Sequence, residues 1–105
     1  MGGDDHEASA SAPVDDRARG EALEVLRDAL GWTATAEWWS AADEVLTRLR
    51  AAWDAGDGTA FRRATAALEV LSEKRANDAG TDSKTPPPPP TRDRLNDTIH
   101  TIGGR

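Results

Sequence analysis

Apolar residues are not spread evenly along this chain. Residues 1–17 carry five acids against the single arginine Arg17, with Gly, Ala and Ser between them and almost nothing to bury, so they are expected to form a solvated acidic tail. From Arg19 to Leu30 the pattern changes: Leu23, Leu26 and Leu30 recur at three- and four-residue steps beside Ala22 and Ala29, and Gly31 follows as a C-cap. This predicts a helix of about three turns. A second helix is expected after Thr33 or Thr35 as N-cap, with Glu37 in its first turn. Trp38, Ala42, Val45, Leu49 and Ala52 lie on one stripe, flanked by Trp39, Leu46 and Trp53. A stripe that wide belongs to a central helix, which should stop at Gly56.

The turn Gly56-Asp57-Gly58 is short, and Thr59 to Arg75 reads as a third helix. Phe61, Ala64, Leu68 and Leu71 lie on its buried side, and Arg62, Arg63, Glu69 and Glu73 on its outer side. So short a connection predicts an antiparallel helical hairpin. Ala76 to Thr85 is polar and without period, and reads as a loop. Five consecutive prolines, Pro86, Pro87, Pro88, Pro89 and Pro90, then predict a polyproline II rod about 15 Å long. Thr91 is the expected N-cap of a short last helix carrying Leu95, Ile99 and Ile102 before Gly103 and Gly104. The expected fold is all-α: a small three-helix domain with a hairpin, a polyproline II segment and a short C-terminal helix packing back on it. Its divisions are an acidic tail (1–17), a helical domain (18–75), a loop with the proline run (76–90) and a final helix with a frayed end (91–105).

Composition sharpens this picture. Only fifteen of the 105 residues are Leu, Ile, Val or Phe, so only part of the chain can fold, and the core must lean on its nineteen alanines and four tryptophans. The absence of cysteine excludes a disulfide framework, a thiolate zinc site and a cysteine nucleophile. No apolar run reaches the roughly 20 residues of a membrane helix, and the acidic start is not that of a secretory leader, so a cytoplasmic location is expected. Gly2 lacks the Ser or Thr that a myristoylation motif wants at position 6, which is His6. A net charge of -6 argues against nucleic acid as partner.

Catalytic motifs fail on inspection. His6-Glu7 begins like a zinc-protease HExxH, but Ala10 stands where the second His should be; no phosphate-binding glycine loop is present. His100 has no nominated nucleophile beside it. No catalytic, metal-binding or cofactor-binding residue is nominated, and no cofactor is expected.

What remains are features suited to binding. The proline run contains two overlapping PxxP frames. It reads as a ligand for a partner's polyproline groove, as a rigid spacer, or as a rod lying against this chain's own tryptophans. Trp38 and Trp53 sit near the stripe of the central helix and are expected in the core. Trp38 and Trp39 diverge by about 100° on a helix, so Trp39 or Trp32 is the candidate anchor for a partner.

Several segments taken in order resemble a known family. They are Val25-Leu26-Arg27-Asp28-Ala29-Leu30-Gly31-Trp32, Ala55-Gly56-Asp57 between two helices, and Ala66-Ala67-Leu68-Glu69-Val70-Leu71. After these come the five prolines, Thr91-Arg92-Asp93-Arg94-Leu95-Asn96 and Ile99-His100-Thr101-Ile102. Together they resemble the CATRA-associated small proteins, accessory proteins named for bacterial conflict systems that combine caspase-like and TPR-repeat proteins. The resemblance spans about residues 20 to 104, and its most specific part is the proline run leading into the Arg-x-Arg-Leu-Asn helix. It implies a non-enzymatic accessory role and a protein partner, caspase-like or TPR-containing. The candidate partner-binding residues are therefore Trp32, Trp39, Pro86 to Pro90, Arg92 and Arg94. The alternative is a generic adaptor that presents its prolines to an unrelated groove.

Overall fold

The computed structural model describes residues 12–78, 80 and 82–104. Its elements are α1 (Asp16–Ala29), α2 (Ala36–Ala55), α3 (Gly58–Asn77) and α4 (Pro89–Gly103), and among the described residues there is no strand: the fold is all-α. No helix of the described residues is long and apolar enough to cross a membrane.

The expected acidic tail lies outside the described residues as far as residue 11. Its last acids do something else. Asp15 is the N-cap of α1, its carboxylate accepting the Ala18 N–H at 2.8 Å, and Asp16 occupies the first turn, where a negative charge faces the positive end of the helix. In α2 the Thr35 hydroxyl accepts the Trp38 N–H at 3.0 Å, so Thr35 is the cap rather than Thr33. That helix ends at Gly56, whose φ of 69° is the left-handed conformation that costs glycine least. Helix α3 starts one residue ahead of Thr59, capped by Asp57, whose carboxylate accepts the Ala60 N–H at 3.0 Å. It also runs two residues past Arg75, so Ala76 and Asn77 are helical and not loop.

Gly58 opens α3 beneath the chain that leads into α1, and its N–H donates to the Ala12 carbonyl at 2.6 Å. A side chain at Gly58 would run into the carbonyls of Ala12 and Pro13, so this crossing requires glycine.

Helices α2 and α3 form the most extensive interface and run in opposite directions: Trp53 lies against Phe61 near the turn, and Trp38 is bonded to Leu71 near the far end. Helix α1 packs on α3 and α4, and α4 packs on α2 and α1. The four helices thus close a ring in the order α1, α3, α2, α4. Inside it Leu26, Trp39, Leu46, Leu49, Phe61, Leu68, Leu95 and Ile102 are fully buried, each such aliphatic contributing about 1.5–3 kcal/mol. Thr65 and Thr98, also buried, donate their hydroxyls to the carbonyls four residues back and so carry no unpaired donor into the core.

The C-terminal helix departs from expectation in its length and in its start. With 15 residues against the 14 of α1, it is a full wall of the ring rather than a short appendage. The polyproline II rod expected over Pro86 to Pro90 is not continuous, because Pro89 and Pro90 form the first turn of α4. The reason is local: the first N–H groups of a helix have no partner in any case, and proline has no N–H to leave unpaired and a φ already suited to the turn. Pro88 occupies the N-cap position without a side-chain bond, and its carbonyl accepts the Arg92 N–H at 2.8 Å. Thr91, expected as the cap, lies inside the helix and is buried.

Candidate functional site

The residues nominated for binding converge on the end of the bundle where α2 begins and α4 begins. Their convergence comes from a strap formed by the segment ahead of the prolines. Ala34, in the α1–α2 connection, and Thr85, just before Pro86, make a two-bond antiparallel bridge (Ala34 N–H to Thr85 O, 2.9 Å; Thr85 N–H to Ala34 O, 2.8 Å). The Thr85 carbonyl also accepts the Trp39 indole N–H at 2.9 Å. One carbonyl of an aperiodic loop therefore ties the loop to a linker and to the core. Trp32 and Pro86 lie within two residues of this bridge.

Below the strap the tryptophans form a stepped column. Trp39 meets Trp38 edge to face at 4.9 Å, Trp38 meets Trp32 edge to face at 5.8 Å, and the Arg75 guanidinium lies 4.5 Å from the Trp32 ring centre. Edge-to-face stacking suits the ring quadrupoles, and the cation completes the column on the face of the last ring. The Trp38 indole donates to the Leu71 carbonyl at 2.8 Å, so the two more deeply packed indoles both have acceptors. The expected roles of Trp38 and Trp39 are thereby exchanged, while Trp32 stays partly exposed and Trp53 packs against the core as expected. Trp39, nominated as a partner-facing anchor, is 2% exposed and central to the core, whereas Trp38, Trp53 and Trp32 are half-buried. The buried face of α2 is Trp39, Ala42, Val45, Leu46, Leu49 and Ala52, so the expected stripe holds from Ala42 to Ala52 and only its first member changes, Trp39 taking the place of Trp38.

Helix α4 is fastened to α2 by two polar joints. In the first, the buried Thr91 hydroxyl donates to Asp43 Oδ2 at 3.0 Å, and Arg94 Nη1 lies 3.1 Å from Asp43 Oδ1. In the second, Arg50 bridges Asp97 on α4 and Asp54 on its own helix. The bond from Asp97 is the main reason the Arg50 pKa is raised; desolvation, the next largest cause, lowers it, and the charges of Asp54 and Asp97 raise it further. At the opposite end Arg19 on α1 donates to the Ile102 carbonyl at 3.4 Å, near the C-terminus of α4.

The nominated residues therefore divide. Trp32 is half-buried, Pro86, Pro89, Pro90 and Arg92 are exposed, Pro88 is half-buried and Pro87 is buried. Arg94 is engaged with Asp43. Both PxxP frames end inside α4, and with Pro87 buried neither is a free extended ligand. Asp43, Thr85 and Arg75 were not anticipated, since each acts through a partner more than 40 residues away in the chain. Proline at the first helical position was a readable signal for the true start of α4.

Comparison with curated proteins gave no match, and neither did comparison with solved structures. A family model does match: that of the CATRA-Associated Small Protein family, over residues 21–105. The match takes in all of α2, α3 and α4, most of α1, and the strap with its proline run, and on that extent the chain belongs to the CATRA-Associated Small Protein family.

Proposed function

We propose that this chain is a non-enzymatic, cytoplasmic accessory component of a caspase-like bacterial conflict system, and that it acts by binding a caspase-like or TPR-containing protein of that system. Family membership supports the accessory role. The observation that carries the binding reading is the strapped end itself. There, Trp32, Pro86 and the first turn of α4 are displayed on a backbone held by the Ala34–Thr85 bridge, the Trp39 indole and the Asp43 joint. A half-exposed tryptophan and exposed prolines offer apolar area that is already ordered, so a partner loses little conformational entropy in covering it. Arg92, exposed beside them, supplies a charge for orientation.

The test is co-purification after co-expression with the caspase-like and the TPR-containing proteins of the system. The unaltered chain is expected to retain one of them. Arg92→Glu and Pro86→Ser, both at exposed positions, are expected to lower retention while the helical signal and unfolding midpoint hold. Trp32→Ala should lower it further. Retention unchanged by all three would refute the assignment of the binding end.

A further inference from the structure

A second surface is the outer seam between α2 and α3, which starts beside the strapped end at Thr35 and Trp38 and runs down to the α2–α3 turn. Helix α1 flanks the pair on one side and α4 on the other, and neither contributes to the lining of the two hollows of the seam. It opens into two hollows. The one toward the start of α2, of about 610 Å³, is walled by Trp38, Leu71 and Val70; Val70, at 57%, is the one large hydrophobic that is exposed among the described residues. The one toward the turn, of about 480 Å³, is lined by alanines, among them Ala51, Ala55, Ala60 and Ala67.

The two hollows differ in charge as well as in shape. Glu37, Glu73 and Asp78 outnumber Lys74 in the first, and Arg48 and Arg63 outnumber Asp57 in the second. Asp57 is already committed to the Ala60 N–H as the N-cap of α3. Arg48 has an exposed Glu44 one turn away at 3.9 Å, a pairing worth a few tenths of a kcal/mol at most. One half of the seam is therefore acidic with Val70 exposed at its wall, and the other is basic and lined by alanines.

We infer that the partner covering this seam is a second copy of the chain, related by a twofold axis that crosses the hairpin at its midpoint. Such an axis lays the acidic half of each copy on the basic half of the other. The register supports it. The contacts of Trp53 with Phe61 and of Trp38 with Leu71 fix which levels of α2 and α3 face each other. On that register the point midway between Glu37 and Arg48 lies level with the point midway between Arg63 and Glu73. One axis therefore serves both helices, pairing Arg48 with Glu37 and Arg63 with Glu73 of the other copy. It also seats each Val70 against Ala66 and Ala67 of the other copy, beside the axis. An interface of this kind is self-complementary, as a closed twofold dimer requires.

The test is sedimentation velocity on the full chain, from low micromolar up to about 200 µM, a range that detects weak self-association. The unaltered chain is expected to shift to twice its monomer mass as concentration rises. Val70→Glu should weaken association about tenfold or more, since it places a charge at the centre of the interface. Arg63→Glu and Glu73→Arg should each weaken it, and the double variant, which restores opposite charges across the axis, should regain it. All these positions are exposed, and an unchanged helical signal shows that the variants fold. A chain that stays monomeric throughout, a Val70→Glu variant that associates like the parent, or a double variant no better than the singles would each overturn the inference. Because the substitutions lie outside the strapped end, loss of the dimer with partner retention intact separates this inference from the binding reading above.

Discussion

The joint at Asp43 can be taken apart one partner at a time. Thr91 is 2% exposed, and its hydroxyl donates to a carboxylate whose side chain is about a third exposed (31%). A hydrogen bond to a charged acceptor contributes roughly 1.5–3 kcal/mol when well buried, and solvent access to Asp43 brings it toward about 1–1.5 kcal/mol. Arg94 is 46% exposed, so its pairing with Asp43 adds no more than about 0.5 kcal/mol. Asp43→Ala removes both partners and leaves a buried hydroxyl without its acceptor, and is expected to cost about 2–3 kcal/mol. Thr91→Val keeps the shape and removes only the donor, and should cost about 1 kcal/mol. The double variant should be less destabilised than the sum of the two, with a coupling of about 1 kcal/mol. The assay is urea unfolding followed by both helical signal and tryptophan emission; at a slope of about 1 kcal/mol per molar, such a coupling moves the midpoint by roughly 1 M. Strict additivity of the two substitutions, or an Asp43→Ala midpoint equal to the parent's, would show that this joint does not hold α4 on α2.

Other perturbations probe other parts of the structure. Leu49→Ala or Leu68→Ala, at 0% and 1% exposure on the facing helices, is expected to cost about 2–5 kcal/mol and leave the domain largely unfolded, as read by calorimetry. Gly56→Ala forces a side chain into φ 69° and should lower stability by about 1–2 kcal/mol with no change in helical content. Replacing Pro86 to Pro90 with Gly and Ser loosens the unfolded chain and removes the preset first turn of α4; a loss of about 2–4 kcal/mol and a red shift of tryptophan emission are expected.

What the sequence made legible was whatever depends on neighbours in the chain. The spacing of Leu23, Leu26, Phe61, Ala64 and Leu68 marked helical faces that are indeed buried. Gly56 marked the end of α2, and the family resemblance carried by the proline run and the helix after it agrees with the family match. Single-residue placements failed where two local rules competed. Trp38 and Trp39 both keep helical spacing to Ala42, so periodicity alone could not choose between them, and the choice is made by the Thr85 carbonyl from across the molecule. Thr91 has the chemistry of a cap, but its hydroxyl is drawn to Asp43, while the prolines before it open the helix without needing one. The strap was invisible because the polar stretch ahead of Pro86 has no period: Thr85 is held by two backbone bonds to Ala34, which leave no side-chain signature.

The central claim is that a partner covers the end where Trp32, Pro86 and the start of α4 are held together. Hydrogen exchange read by mass spectrometry, on the chain alone and with the caspase-like or TPR-containing protein it retains, tests this most directly. The expected result is added protection over about residues 31–35 and 84–93, with the far ends of α1 and α4 unchanged. Added protection confined to α1, or to the outer seam of α2 and α3, with these two segments exchanging as in the free chain, would contradict it.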